Sequence, residues 1–471
     1  MSMSTRRRSP VRRPAAAVRS LAIACVALAV FFASDRLAVA KKNAPPAPPA
    51  QRSVQQPAPS PAELFASGEK YRWGLDAPID WSAAARSYAE AARQGHAEAM
   101  TRLGLMYELG AGVPYDEAHM LDLFRGAAEL GNAAAMTQLG LLSLQGKAVA
   151  RSRRVAMRHF RSAADGGDPT GMILLARGLK FGWADTADEP GAKQWALKAQ
   201  EAFRQRAEGG DIAAMIGLAA MYQSGTEIEP DVKQAVTLYQ KAAGRGSSEA
   251  MLLLAALSFS GEGVEKDKAQ GVRWMTQAAE RGDPNAMWLL ALAYRSGAEV
   301  PKDAGKAFDS CRKAAAQGHA ACMWLLGELS ARGEGADKDD KQALEWLRSA
   351  AGHGSREALF ELGVRSSEGR GVEKDEAAAL DYFRSAANLG HAEGAYRLGE
   401  AYVAGRGVSR DEAQAADWFR RAALRDYPRA GYRLALMYTE GRGVDKDAEM
   451  AAVWYRMAAR LGDPDAIQAL K

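Results

Sequence analysis

Side chains suited to catalysis are few in this chain and lie far apart. Ser67 and Lys70 have the S-x-x-K spacing of a serine nucleophile beside a lysine base, but no partner motif follows them. His96, His319 and His391 each follow a glycine in a turn, and none has a carboxylate or cysteine at metal-ligand spacing. The G-x-G-V glycines lack the Lys-Ser/Thr of a phosphate-binding loop. We therefore predict no catalytic residue, no metal site and no cofactor.

Five aromatic residues spaced 36 positions apart are the candidates for binding. They are Trp288, Trp324, Phe360, Tyr396 and Tyr432. Tryptophan and tyrosine are favoured in the energetic centres of protein interfaces, and their rings can also stack on sugars. One interpretation places the five rings in a stripe along a concave groove. The other packs them against the preceding helix.

Two cysteines, Cys311 and Cys322, flank the turn at Gly318 on neighbouring predicted helices. A disulfide between them is conceivable in an oxidising compartment. However, Cys311 stands where other repeats carry an aromatic residue, and Cys322 where they carry alanine, so both also fit as buried core residues. The sequence leaves the bridge open.

The elements that must position these residues are tandem repeats. Aligning segments such as 100–113, 251–264 and 359–372 defines one anchor residue per repeat, and successive anchors are 36 residues apart except for one step of 43. Glycine follows each anchor by ten residues, and aspartate or serine by sixteen. Such unbroken series are the signature of a repeat architecture. The eleven anchors are Leu64, Met100, Met136, Met172, Met215, Met251, Met287, Met323, Leu359, Ala395 and Gly431.

Each repeat is predicted to be a pair of helices, A and B. Apolar residues at the anchor and three and seven residues later form one face of helix A. The glycine ends that helix in the left-handed conformation, and the aspartate or serine caps helix B. A glutamine three residues after the cap predicts a capping box in four repeats. These glutamines are Gln234, Gln270, Gln342 and Gln414.

The predicted fold is an all-α solenoid, because one helix pair cannot bury its apolar face without its neighbours. By analogy with other helix-pair solenoids, we expect a right-handed superhelix. Residues 464–471 begin a further helix that serves as a cap. The eleven predicted units are 61–96, 97–132, 133–168, 169–211, 212–247, 248–283, 284–319, 320–355, 356–391, 392–427 and 428–463.

One repeat is seven residues too long. Its extra residues lie between Asp188 and Gly210, which places them in helix B. Seven residues make about two helical turns, or roughly 10 Å, so the buried face can be preserved. The longer helix, with Trp183 and Trp195 nearby, is either a binding feature or a tolerated variation.

The N-terminus has the pattern of an export signal. Arginines precede a 13-residue apolar run at 21–33, and Ala38-Val39-Ala40 follows it. We expect cleavage after Ala40 and a periplasmic protein; the alternative is an uncleaved signal anchor that holds periplasmic repeats at the inner membrane. Residues 41–60 are rich in proline and alanine and are predicted to be a disordered linker. The arginines of residues 1–40 account for the net charge of +5. The rest of the chain is nearly neutral and therefore lacks the basic surface expected of a nucleic-acid binder.

The repeat resembles the Sel1-like repeat, a relative of the tetratricopeptide repeat. The pattern A-x-x-L-G-x-x-Y-x-x-G-x-G-V followed by Asp runs from Ala99 to Asp116, and a second copy from Ala430 continues to Trp454-Tyr455-Arg456. The resemblance implies a non-enzymatic adaptor or scaffold that binds proteins. Bacterial members are associated with envelope assembly, exopolysaccharide export or its regulation, signalling and host interaction. A cysteine-rich branch is β-lactamase-like, but this chain lacks the paired cysteines of that branch.

The leading hypothesis is therefore a protein-binding scaffold of the bacterial envelope, serving exopolysaccharide secretion, its regulation or envelope signalling. The alternative is a module that binds carbohydrate or peptidoglycan through the aromatic groove. The third hypothesis is a β-lactamase-like hydrolase.

Overall fold

The computed structural model describes residues 59–75, 78–225 and 228–470. Their contacts divide them into two units that meet in the chain at Asp303 and Ala304. The predicted export signal at 1–40 lies outside the described residues, as does all of the predicted linker except Pro59 and Ser60.

The described residues form 23 α-helices in the predicted alternation. Odd-numbered helices are the A helices of the repeats and even-numbered helices are the B helices. Unit 1 contains α1 (Pro61–Trp73), α2 (Trp81–Arg93), α3 (Ala97–Leu109), α4 (Glu117–Glu129), α5 (Ala133–Gln145), α6 (Arg153–Asp165), α7 (Pro169–Lys180), α8 (Glu189–Glu208), α9 (Ile212–Ser224), α10 (Val232–Gly244), α11 (Ser248–Ser260), α12 (Lys268–Glu280) and α13 (Pro284–Ser296).

Unit 2 begins with the B helix of the seventh repeat and continues to the C-terminal cap. It contains α14 (Ala304–Ala315), α15 (Ala320–Arg332), α16 (Asp340–Gly352), α17 (Arg356–Glu368), α18 (Glu376–Asn388), α19 (Ala392–Ala404), α20 (Glu412–Ala423), α21 (Pro428–Glu440), α22 (Ala448–Arg460) and α23 (Pro464–Ala469).

The helices begin and end where the repeated glycines and the repeated aspartates or serine predict. In ten B helices the predicted aspartate or serine accepts a hydrogen bond from a backbone N–H of the first turn. Ten A helices end at the predicted glycine in the left-handed conformation. The exception is α7, which ends one residue early, with Phe181 ahead of Gly182.

The capping-box prediction was wrong where the glutamine side chain has another partner. Gln270 Oε1 accepts from Arg273, and Gln342 Oε1 accepts from the Ser330 hydroxyl. A complete capping box joins Ser60 and Glu63 at the start of α1. Glutamine is long enough to find partners beyond its own first turn, which the spacing rule does not anticipate.

In five repeats the core forms where an aromatic ring of helix B meets a glycine of helix A. A Cβ on Gly140 would lie 2.5 Å from Phe160 Cε1, and a Cβ on Gly399 would lie 2.5 Å from Phe419 Cε1. Both rings are fully buried. The glycine therefore lets the two helices approach closely enough to enclose the ring.

The predicted insertion in helix B of the fourth repeat is confirmed. Helix α8 has 20 residues, whereas the other B helices of unit 1 have 13. Trp195 packs partly against the core, and the Lys198 ammonium lies 4.2 Å from its ring centroid. Leu197 is 49% exposed and Phe181 at the end of α7 is 64% exposed, so this repeat presents apolar side chains to solvent. Within the described ranges, every helix is too short or too polar to span a bilayer.

Candidate functional site

The predicted binding residues occupy one position of helix A, directly after the anchor. In unit 2 this position holds Trp324 on α15, Phe360 on α17, Tyr396 on α19 and Tyr432 on α21. Trp288 has the same place on α13, which belongs to unit 1. All five side chains are half-buried. Each is therefore partly packed and partly available to a ligand.

The packed side of these rings faces the following B helix and the start of the next A helix. The Phe360 ring lies 5.6 Å from that of Phe383 on α18 and stacks on His391 at 4.3 Å. The Tyr396 ring lies 5.6 Å from Phe419 and 5.1 Å from Tyr427. The packing alternative named the preceding B helix, whereas these ring contacts are made with the following one.

Within unit 2, a recess of about 650 Å³ lies next to the rings of Trp324 and Phe360. Trp324 and Phe360 line it from successive A helices, and the turn residues Gly371 and His391 close it at its edges. The remaining lining is largely charged, and comprises Glu328, Arg332, Asp340, Glu357, Glu361, Arg365 and Arg370, with Gly327, Ala331 and Leu347. Two aromatic surfaces thus lie among charged groups of both signs.

The charged groups around the recess pair with one another. Arg365 Nε lies 3.1 Å from Glu361 Oε1, and Arg370 Nη2 lies 3.7 Å from the same oxygen. Arg332 Nη2 lies 3.2 Å from Glu328 Oε1. Partly exposed pairs of this kind contribute little to stability and can exchange partners readily. The recess therefore has no strong charge of one sign but many groups that can donate to or accept from a ligand.

The histidines singled out in the sequence have a structural task. The Nδ1 atoms of His96, His319 and His391 accept hydrogen bonds from the backbone N–H groups of Ala99, Cys322 and Gly394, at 3.1–3.2 Å. Each histidine is thus the N-cap of an A helix. Burial lowers the pKa of all three, that of His319 to about 4.

In unit 1 the same helix position carries Phe65 in the first repeat, Trp288 in the last, and threonine or an aliphatic residue in the five repeats between them. Of these five residues, all but Ile173 are buried. Thr101 Oγ1 donates to Asn132 Oδ1 at 3.1 Å, and the Thr137 hydroxyl donates to the Asp168 carboxylate. Ile216 is 1% exposed. Here too the residue touches the N-cap of the next A helix, which Asn132 and Asp168 provide.

Cys311 and Cys322 are free thiols, and both are fully buried. Burial is the main cause that raises the pKa of the Cys322 thiol, and a hydrogen bond with Cys311 adds to it. The S-x-x-K pair lies on α1, where Lys70 is exposed and Ser67 half-buried. Across the part of the chain that the structure describes, no three His, Cys, Asp or Glu side chains form a candidate metal cluster.

Sequence reasoning missed two features of unit 1. Glu69 is 1% exposed, and its carboxylate accepts hydrogen bonds from Tyr88 Oη at 2.7 Å and Trp73 Nε1 at 3.0 Å. In addition, Ile79 and Arg281 are hydrogen-bonded although they are about 200 positions apart in the chain. Contacts between distant repeats leave no local pattern, so nothing in the sequence could have indicated them.

Comparison with known proteins agrees with this architecture. The family model described as Sel1 repeat matches nine segments, and the first repeat and the elongated fourth repeat are not among them. The matched segments are 97–132, 133–168, 212–247, 248–283, 284–319, 320–355, 356–391, 392–427 and 428–463. A search of curated proteins gave no match.

Solved structures with the same repeat are similar to this chain. A Sel1 repeat protein from Oxalobacter formigenes is 32% identical with a TM-score of 0.51; the match covers 67% of this chain and 90% of that one. A protective antigen of uropathogenic Escherichia coli with an SLR fold is 29% identical with a TM-score of 0.44, and 87% and 90% of the two chains are covered. The nine matched segments make up more than half of the sequence, and this chain therefore belongs to the Sel1 repeat family.

Proposed function

We propose that this protein is a non-enzymatic scaffold of the bacterial envelope, and that it binds a protein partner through the recess of unit 2. Proteins of this family are generally interaction scaffolds. The observation that carries the proposal is the pair of half-buried rings, Trp324 and Phe360, that line one recess of about 650 Å³. Binding energy in protein interfaces concentrates in such aromatic side chains.

The envelope location rests on the sequence pattern of residues 1–40. A chain exported by this signal would place its repeats in the periplasm, where exopolysaccharide secretion machinery and envelope sensors are accessible. The mixed charge of the recess suits a peptide segment that carries both an apolar side chain and polar groups. Glu357 and Arg370 are exposed enough to pair with such groups.

The test is capture of partners by the full chain from envelope extracts, compared with two variants. Trp324→Ala removes one ring, and Phe360→Leu keeps an apolar side chain against Phe383 while removing the exposed aromatic surface. We expect both to lose the captured proteins while keeping the wild-type melting temperature to within a few degrees. Leu424→Ala is the matched control, because Leu424 is 64% exposed and lies outside the recess.

A fall in melting temperature that accounts for the lost capture would show that the rings serve packing alone. Capture that survives both substitutions would rule out the recess as the binding site.

The second candidate is binding of carbohydrate or peptidoglycan by the same rings. The partly exposed ring faces of Trp324, Phe360 and Tyr396 favour it, because flat aromatic surfaces stack on sugars. Retention of the wild-type chain on a peptidoglycan or exopolysaccharide column, lost in Trp324→Ala, would support this candidate over a protein partner.

A further inference from the structure

Unit 1 contains a contact between its first and sixth repeats. The Ile79 N–H donates to the Arg281 carbonyl oxygen at 2.9 Å, and Arg281 Nη2 donates to the Gly74 carbonyl oxygen at 3.0 Å. Ile79 is 4% exposed, and a Cβ on Gly282 would lie 3.0 Å from the Ile79 carbonyl oxygen. Repeats of a solenoid usually touch their immediate neighbours alone. The sixth repeat thus contacts the first repeat directly.

A carboxyl group lies beside this contact in an unfavourable environment. Glu249 stands in the first turn of α11, and its Oε1 is buried without a hydrogen bond from any described residue. Two charged groups face it from other helices. They are Arg72 on α1, which is attractive, and Asp283 at the N-cap of α13, which is repulsive. At the turns nearby, Arg245 donates to the Gly210 carbonyl oxygen and Arg281 to that of Gly74.

Burial is the main cause that raises the pKa of Glu249, to about 7, while Arg72 acts in the opposite direction. Arg72 is shared, since its Nη1 also lies 3.6 Å from Glu69 Oε1. The attraction of Arg72 therefore does not compensate fully for the loss of water around the Glu249 carboxylate. Closing the contact over an ionised Glu249 has a free-energy cost that closing over a protonated one does not.

We propose that the contact of Gly74 and Ile79 with Arg281 is a latch that closes the first six repeats, and that a proton on Glu249 keeps it closed. When Glu249 is neutral, the closed latch buries no uncompensated charge. When Glu249 ionises, its carboxylate is more stable in water than in the closed form, and the latch opens.

The direction of the pH dependence of closing follows from proton linkage. In the open form Glu249 faces water and titrates near the ordinary value of about 4.5, whereas in the closed form its pKa is about 7. Protons therefore favour the closed form. The equilibrium constant for closing the latch is largest below pH 4.5, falls as the pH rises towards 7, and is constant above pH 7. The full change in this equilibrium constant is roughly three-hundredfold.

The test measures the distance across the latch in the full chain. Spin labels are attached through Pro78→Cys and Glu280→Cys, two exposed positions on either side of the contact, in a Cys25→Ser background. Cys311 and Cys322 are fully buried and remain unlabelled. We expect one short distance at pH 5 and a second, longer population at pH 8, measured by double electron–electron resonance.

Glu249→Gln mimics the protonated side chain, so this variant should keep the short distance at both pH values. Glu262→Gln is the matched control: Glu262 is exposed beyond the C-terminal end of the same helix, and its removal should leave the wild-type response intact. A label-free measurement is hydrogen exchange at the Ile79 amide, whose protection should fall from pH 5 to pH 8 after correction for intrinsic exchange. The proposal is overturned if the distance and the Ile79 protection do not change with pH, or if Glu249→Gln responds as the wild type does.

Discussion

Repeats two and three of unit 1 and repeats nine and ten of unit 2 use one helix position in two different ways. The residue after the anchor touches the N-cap of the next A helix in both units. In repeats two and three the pair is a threonine hydroxyl on an amide or carboxylate oxygen, as in Thr101 with Asn132. In repeats nine and ten it is a ring on a ring, as in Phe360 with His391, and the first repeat has the same arrangement with Phe65 on His96. The threonine hydroxyl is buried and hydrogen-bonded to its partner, whereas the aromatic ring keeps part of its surface exposed to solvent.

This difference shows how a repeat scaffold acquires an individual surface. The glycines and caps that end the helices are nearly the same in the two units. Two side chains differ, the residue after the anchor and the cap that it touches, and they replace a buried hydroxyl pair with a pair of partly exposed rings. The predictions below test whether the scaffold is common and the surfaces are distinct.

The largest effect is expected from the buried ring that packs against a helix A glycine in five of the repeats. Phe160→Ala in unit 1 and Phe419→Ala in unit 2 each remove a fully buried side chain that packs against a helix A glycine. Each should lower the free energy of unfolding by about 3–5 kcal/mol. Urea denaturation measures the loss, and hydrogen exchange should locate it in the repeats around the substitution. Clearly unequal losses would contradict a scaffold common to both units.

Acidification should act on the two units in opposite directions. In unit 2 His319 caps α15 through an unprotonated Nδ1, and burial lowers its pKa to about 4, below the ordinary value near 6.5. The folded chain thus disfavours the proton, so the contribution of this cap is complete above pH 6.5 and is lost as the pH falls towards 4. Between pH 7 and pH 5 we expect a loss of about 1–2 kcal/mol, because this interval covers most of the range between the ordinary and the lowered pKa of His319.

His319→Asn provides the comparison, because asparagine caps a helix without titrating in this range. The melting temperature of this variant should depend less on pH between 7 and 5 than that of the wild type. Protonation of Glu249 in unit 1 favours its folded contact over the same interval, so hydrogen exchange in the two units should diverge. An identical pH response in wild type and variant would exclude His319 as a source of acid sensitivity.

A smaller effect is expected from the hydroxyl pair of unit 1. Thr137→Val keeps the side-chain shape but removes the donor to the buried Asp168 carboxylate. The free energy of unfolding should fall by about 1–2 kcal/mol. Thr237→Val is the control: Thr237 is exposed on α10 and its hydroxyl bonds to the Lys233 carbonyl oxygen of its own helix. Equal effects at the two positions, measured by urea denaturation, would show that the pair with the next cap adds nothing.

Much of the fold was determined by the sequence alone. The glycine and aspartate series placed the helix ends, because a left-handed C-cap and a side-chain N-cap each depend on a single residue type at one position. The seven-residue excess located the longer helix α8, since two full turns preserve its buried face. The cap role of His96, His319 and His391 was not assigned, although their place after a glycine and before an A helix was visible.

The tertiary structure decided which surfaces are exposed and which distant residues meet. Whether the Phe360 ring faces the preceding or the following B helix depends on how two repeats stack, and a repeating pattern is the same in either case. The contact of Ile79 with Arg281, and with it the environment of Glu249, depends on small rotations that accumulate over five repeats. Each rotation is set by side-chain packing between neighbours, so its sum is a property of the folded solenoid and has no counterpart in any single motif.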